Sequence, residues 1–196
     1  MIDRDLKRSL GQMMHGVQVV GAQVDGQQRL YCSHWVSQVS FDEPIVMASV
    51  SPRHDTFPLI ESSGFFSVSL LAGDQVAVGQ YFSYPGRKFH RIASEYVTSW
   101  TPDAITPEVP VVVDAIAWLR CVVEDRKDLP DHALFFARVT HVMPGRLGQP
   151  PLTYSSRLGW RIASEKAREP GSSVRDQLLD RLAASGLETE FDPDPE

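Results

Sequence analysis

The sequence predicts a mainly β fold, a barrel or a sandwich with short helices. Three observations carry this. Apolar, β-branched runs recur at short spacing, and only brief helical patterns separate them. The alternating βαβ pattern of a doubly wound sheet is missing. So is any GxGxxG following a strand, which excludes a Rossmann unit as the holder of a dinucleotide.

Taken in order, residues 3–14 read as a short helix, with Asp3 and Asp5 near its start and Leu6, Leu10 and Met13 or Met14 on one face. Val17, Val19, Val20 and Val24 then lead to Asp25-Gly26, and Leu30-Tyr31-Cys32 follows, the pattern of a hairpin. Ile45–Val50 suits a buried strand. Residues 56–64 read as one or two helical turns, with Thr56 as cap, Pro58 in the first turn and Gly64 as stop. Residues 65–71 alternate like a strand, and 74–82 read as a second short helix capped by Asp74. A loop rich in aromatics and positive charge spans 83–91. Three prolines make 99–110 irregular or edge-like. Residues 111–126 are too β-branched for a helix and form one or two strands, with Leu119, Cys121 and Val123 on one face. The turn residues DLPDH join them to a hairpin partner at Leu134–Met143, and 151–156 form a last short strand. Val174, Leu178, Leu179 and Leu182 fall at helical spacing within 173–186, before an acidic tail with the composition of disorder. The domains so expected are a body at 1–165 and an appended helix and tail at 166–196.

The bulk composition narrows the function classes. The chain has 196 residues, 42% apolar and 22% charged, with a net charge of −6 and no Lys/Arg cluster. Nucleic acid and anionic membranes demand concentrated positive charge, so neither is expected as a partner. No apolar run approaches the ~18 residues of a membrane span, and the N-terminus lacks a signal-peptide core. The two cysteines, Cys32 and Cys121, form no CxxC pair, and His15, His90 and His141 show no ligand spacing, so no metal site is expected. A reducing cytoplasm is the expected setting.

The stretch 33–71 resembles the flavin reductase-like family. Its strand-and-loop pattern S-W-V-T-Q-V-S-F-x-P-P stands here as His34-Trp35-Val36-Ser37-Gln38-Val39-Ser40-Phe41-Asp42-Glu43-Pro44. The Trp-Val-x-Gln version is most similar to the flavoredoxin-like branch. The family's strand followed by S-R-T-x-x-L-I corresponds to Ser51-Pro52-Arg53-His54-Asp55-Thr56-Phe57-Pro58-Leu59-Ile60. Its D-R-F or K-F loop corresponds to Arg87-Lys88-Phe89, its G-D-H-x-x-x-x-A-x-V to residues 130–139, and its P-L-x-x-x-R-x-x-G to residues from Pro151 to Gly159. The pieces keep the family's order over 8–160.

The resemblance implies a Greek-key split β-barrel that binds FMN, less often FAD, usually as a homodimer with its flavin sites near the two-fold axis. It implies hydride transfer from NAD(P)H to flavin, and electron delivery to a monooxygenase or an electron-transfer protein. Carried over residue by residue, His34, Trp35, Val36 and Ser37 would line the isoalloxazine edge. Ser49, Val50 and Ser51, with Arg53 and Thr56, would lead to the phosphate, and Lys88, Phe89 and Arg157 would complete the site. His132 would position the nicotinamide. The residue chemistry agrees. A flat ring needs backbone polar groups along one edge and an apolar wall, and a strand-to-helix junction with Arg53, His54 and Thr56 offers donors to an anion. Asp55, where the family has Arg, is a departure, because a carboxylate repels a phosphate. Two alternatives stay open on the residues alone: a flavin-binding module without reductase turnover, and a substrate-specific FMN oxidoreductase whose pocket the C-terminal helix shapes.

Overall fold

A computed structural model describes residues 3–83 and 95–163. The chain divides into a unit Met1–Ala163 and a unit Ser164–Glu196. Lys88, Phe89 and the expected helix at 173–186 lie outside the described residues.

The elements run α1 (Arg4–Leu10), β1 (His15–Gly16), β2 (Gln18–Val24), β3 (Gln27–Ser33), β4 (Val36–Gln38), β5 (Ile45–Val50), α2 (Phe57–Ser63), β6 (Phe65–Leu70), α3 (Val76–Phe82), β7 (Val97–Trp100), β8 (Val109–Val112), β9 (Ala117–Asp128), β10 (Ala133–Pro144), β11 (Leu152–Ser155) and β12 (Gly159–Ile162). The seven-stranded sheet has the order β3-β2-β6-β9-β10-β5-β4, with β1-β11-β12 and β7-β8 as smaller sheets. Every pairing is antiparallel.

The order of the large sheet forces its shape. β3 and β4 occupy opposite edges, yet only His34 and Trp35 separate them in sequence. A flat seven-stranded sheet would hold its edges about 29 Å apart, and so short a connection spans at most about 11 Å. The sheet must therefore curl until its edges meet, and it forms a half-barrel. The fold is the mainly β split barrel that the sequence predicted.

Side-chain alternation then sorts the two faces. Val20, Ala22, Val46, Ala48, Val50, Phe66, Val68, Cys121, Phe135 and Ala137 fill the interior, where Phe57, Leu59 and Ile60 of α2 pack on them. Val19, one residue from Val20, points to the other face and joins Val17, Leu71, Val78, Phe82, Val112 and Leu152 under α3. Both faces of β2 are thus covered, which is why the Val-Val pair is fully buried. Ser67 and Ser69 alternate with Phe66 and Val68 and bind β8: Ser67 Oγ donates to the Pro110 carbonyl, and the Val112 N–H donates to Ser69 Oγ.

Most elements form where the sequence placed them, with instructive differences. The β2–β3 turn holds Asp25 and Gly26 at φ of 50° and 77°, the geometry that Asp-Gly favours in a tight hairpin. Gly64 ends α2 at a φ of 71°. Thr56 stands at the α2 N-cap, but its side chain makes no capping hydrogen bond. Asp74 does not cap α3. The N-cap is Gln75, whose amide accepts from the Ala72 N–H and donates to the Val113 carbonyl, while Asp74 makes a two-pronged pair with Arg146 at 2.7 and 2.8 Å. The stretch 99–110, read as irregular, carries the end of β7 and the start of β8, with Ser99 opposite Pro110. β11 is followed by β12, which the sequence reading missed. Helix α1 stops at Leu10 and buries no residue. No described helix is long and apolar enough to cross a membrane.

Candidate functional site

The two residues that close the barrel are also the start of the site. The Trp35 carbonyl accepts from the Ser49 N–H at 2.9 Å, so the chain joins β5 immediately after its bend. Along β5, Val46, Ala48 and Val50 point inward, which sends Met47 and Ser49 to the opposite face. Register pairs Ser49 with Leu134 of β10. That pairing carries the β9–β10 turn, and His132 in it, to Trp35: the two rings meet edge to face at 5.1 Å. Residues nearly a hundred positions apart in sequence thus face one cleft.

The cleft has a volume of about 1070 Å³, enough for a large planar ligand. One end is walled by rings. Tyr31 stacks on His54 at 4.5 Å, and His34 stacks on Tyr154 at 4.2 Å with Trp160 against its edge. The cleft is also lined by α1 and the β11–β12 turn, with Arg4, Lys7, Arg8 and Arg157. A second cavity of about 460 Å³ shares His15, His34, Trp35 and Ser49 and adds Met14, Val36, Ser37, Met47 and Leu134.

Burial sets the charge state of the ring-walled end. Loss of water around His34, with His15 nearby, lowers its pKa to about 4, so its ring is neutral at pH 7. Burial also lowers the pKa of His54, with His132 contributing. Burial raises the Tyr31 phenol, and it lifts the Cys32 thiol to about 11, so neither ionises near neutrality. Nδ1 of His132 lies 3.1 Å from the Asp131 carboxylate.

Of the residues the sequence singled out, His34, Trp35, Ser49, His132 and Arg157 line the large cleft, and Val36 and Ser37 line the smaller cavity. Val50 is buried in the barrel interior. Ser51, the exposed Arg53 and the buried Thr56 are not among the described residues lining either cavity. Arg4, Lys7, Arg8, His15, Tyr31 and Tyr154 were not foreseen. The first three have i, i+3, i+4 spacing, a readable signal, but the apolar Leu6–Leu10 stripe beside them drew the reading instead. Among the described residues no group of three metal-ligating side chains occurs.

The residues present fit a flavin. Stacked aromatic walls match a flat ring, and His34 Nδ1 is buried without a hydrogen-bond partner, an expensive state that a polar ligand edge would relieve.

The comparisons agree with this geometry. The family model described as flavin reductase like domain matches residues 10–158. The reductase component of 4-hydroxyphenylacetate 3-monooxygenase from Thermus thermophilus is 32% identical over 155 residues, covering 79% of this chain and 93% of that protein. The NADH-dependent flavin reductase StyB of Pseudomonas fluorescens is 30% identical over 148 residues, covering 72% and 80%. Among solved structures, flavoredoxin from Methanosarcina acetivorans matches with a TM-score of 0.73 at 20% identity over 90% of this chain and 97% of its own. Flavin reductase PheA2 matches with a TM-score of 0.69 at 22% identity, over 84% and 100%; these two likenesses concern the fold. A match spanning most of the barrel, on a chain whose edge-closing loop builds the cleft, is membership: this chain belongs to the flavin reductase-like family.

Proposed function

We propose that this chain is an NAD(P)H:flavin oxidoreductase that uses FMN and supplies reduced flavin to a monooxygenase or electron-transfer partner in the cytoplasm. The observation that carries this reading is the meeting of His132 with the Trp35 bend over a ring-walled cleft. When bound, the flavin and NAD(P)H would supply the hydride-transfer chemistry. The protein's own contribution is geometric. The Ser33–Trp35 bend is itself held in place, the Trp35 N–H donating to Ser33 Oγ and its carbonyl accepting from the Ser49 N–H, which gives a bound ring a fixed wall. His34, neutral and stacked on Tyr154, offers an unpartnered nitrogen to that ring's edge. His132, beside Asp131, would orient the nicotinamide ring against the flavin, and alignment supplies much of the rate. No group is required as a general base, because hydride moves between the two rings. The reductase-component relatives support the monooxygenase partner.

A homodimer is part of the proposal. Leu10, Met13, Met14 and Trp35 are about half exposed and border the two cavities. Such contiguous apolar surface beside a cleft is typical of an interface.

The test mixes purified protein with FMN and NADH and follows the near-ultraviolet absorbance of NADH. Steady loss of that band only when flavin is present is expected. Bound flavin with no NADH consumption would sink the reductase reading.

A further inference from the structure

In a chain of net charge −6, the cleft lining holds four long cations and no carboxylate. Arg4, Lys7 and Arg8 lie on one face of α1 and line the cleft, and Arg157 lines it from the β11–β12 turn. Outside the cleft, Arg126 pairs with Glu61 and Asp128, Arg138 with Glu43 and Glu124, and Arg146 with Asp74, while Arg29, Arg53, Arg120, Lys127 and Arg161 stand apart from one another with no described carboxylate partner. No described carboxylate pairs with any of the four at the cleft. Their two segments are tied together, since the Arg157 N–H donates to the Gly11 carbonyl at 3.1 Å. A Cβ on Gly11 would also lie 3.7 Å from Ser156 Cβ, so helix end and turn are in close approach. Meanwhile Arg53 and Thr56, the expected phosphate anchors, are not among the described residues that line the cleft, and Asp55 beside them is acidic.

We infer that Arg4, Lys7, Arg8 and Arg157 form the phosphate-binding subsite of this cleft, holding the phosphate of a nucleotide whose flat ring lies against His34 and Trp35. The inference rests on the flavin reading above and names a subsite within it. Guanidinium forks and an ammonium, unpaired and converging from two elements, match the several acceptor oxygens of a phosphate or pyrophosphate. The anion has two sources in this chemistry, the flavin's phosphate and the phosphates of the nicotinamide nucleotide.

The experiment measures dissociation constants without turnover, by flavin fluorescence and by calorimetry. The ligands are FMN, riboflavin (the same ring without phosphate), FAD, NADH and NADPH. The variants are Lys7→Gln/Arg8→Gln and Arg157→Gln. Glutamine keeps helix propensity close to that of Lys and Arg, and α1 buries no residue, so the fold is not at stake. Arg161→Gln, an exposed cation outside the cleft, is the control. Loss of one charge-assisted contact predicts weakening by about tenfold. Weaker FMN with unchanged riboflavin identifies the flavin phosphate as the source, and weaker NADH or NADPH with unchanged FMN identifies the nicotinamide nucleotide. Wild-type binding with no change in any variant, or riboflavin weakened as much as FMN, overturns the subsite while leaving the flavin reading intact. A wild-type protein that binds neither flavins nor nicotinamide nucleotides overturns both.

Discussion

His34 and His132 share a cleft but carry different predictions. His34 is held neutral by burial, with its pKa near 4 in the fold against about 6.5 in an unfolded chain. Between those values the unfolded chain binds more protons, so stability rises with pH through that window and is lost on acidification. His34→Gln should flatten this dependence, bringing stability at pH 5 closer to that at pH 7, as denaturant titrations at the two values would read. An unaltered pH profile would remove His34 as its origin. His132 touches Trp35 and has its Nδ1 occupied by Asp131. His132→Ala should slow NADH oxidation about ten- to a hundredfold by loosening ring alignment, with flavin affinity unchanged in a fluorescence titration. Unchanged kinetics would take His132 out of the reaction. At this scale the sequence named both histidines through a motif. It did not reveal that His34 lacks a partner for Nδ1, because that depends on Tyr154 and Trp160, residues brought in by β11 and β12.

Elements whose signals are local were legible. The Asp25-Gly26 hairpin and the Gly64 stop depend on backbone conformations that few residues adopt, so the residue type betrays the structure. Gly64 sits in the left-handed region with open space around it. Gly64→Ala should therefore cost about 1 kcal/mol from backbone strain alone, without a clash, and Gly64→Asn less; urea unfolding would compare them. Equal stability of all three would mean that α2 ends differently. The capping assignments at Thr56 and Asp74 did not hold as hydrogen bonds. A cap competes with every other partner in reach, and Asp74 finds Arg146, more than seventy residues away. Helix α1 shows the same limit. Leu6 and Leu10, read as sharing a face, are both 51% exposed, while the helix's basic residues line the cleft.

For the whole molecule, the exposed apolar residues around the cavities and Phe41, 89% exposed on the β4–β5 loop, predict a dimer. Sedimentation should give about twice the 21.9 kDa chain mass, and Phe41→Lys or Met14→Lys should shift the population toward monomer if these residues are buried between copies. A monomer at micromolar concentration in the wild type would remove the interface.

The sequence by itself determined the strand pattern, the hairpins, the absence of a Rossmann unit and, through ordered motifs, the family. These are properties of neighbouring residues: periodicity, turn chemistry and local spacing. Only the tertiary structure decided which of those residues meet. The two-residue link between opposite sheet edges curls the sheet, and the Ser49–Leu134 register then sets His132 against Trp35. The same folding buries Val50, leaves Arg53 out of the cleft lining, and brings α1 and Arg157 together in it. Contacts of that kind are set by how strands pair and close, which no single stretch of the chain encodes.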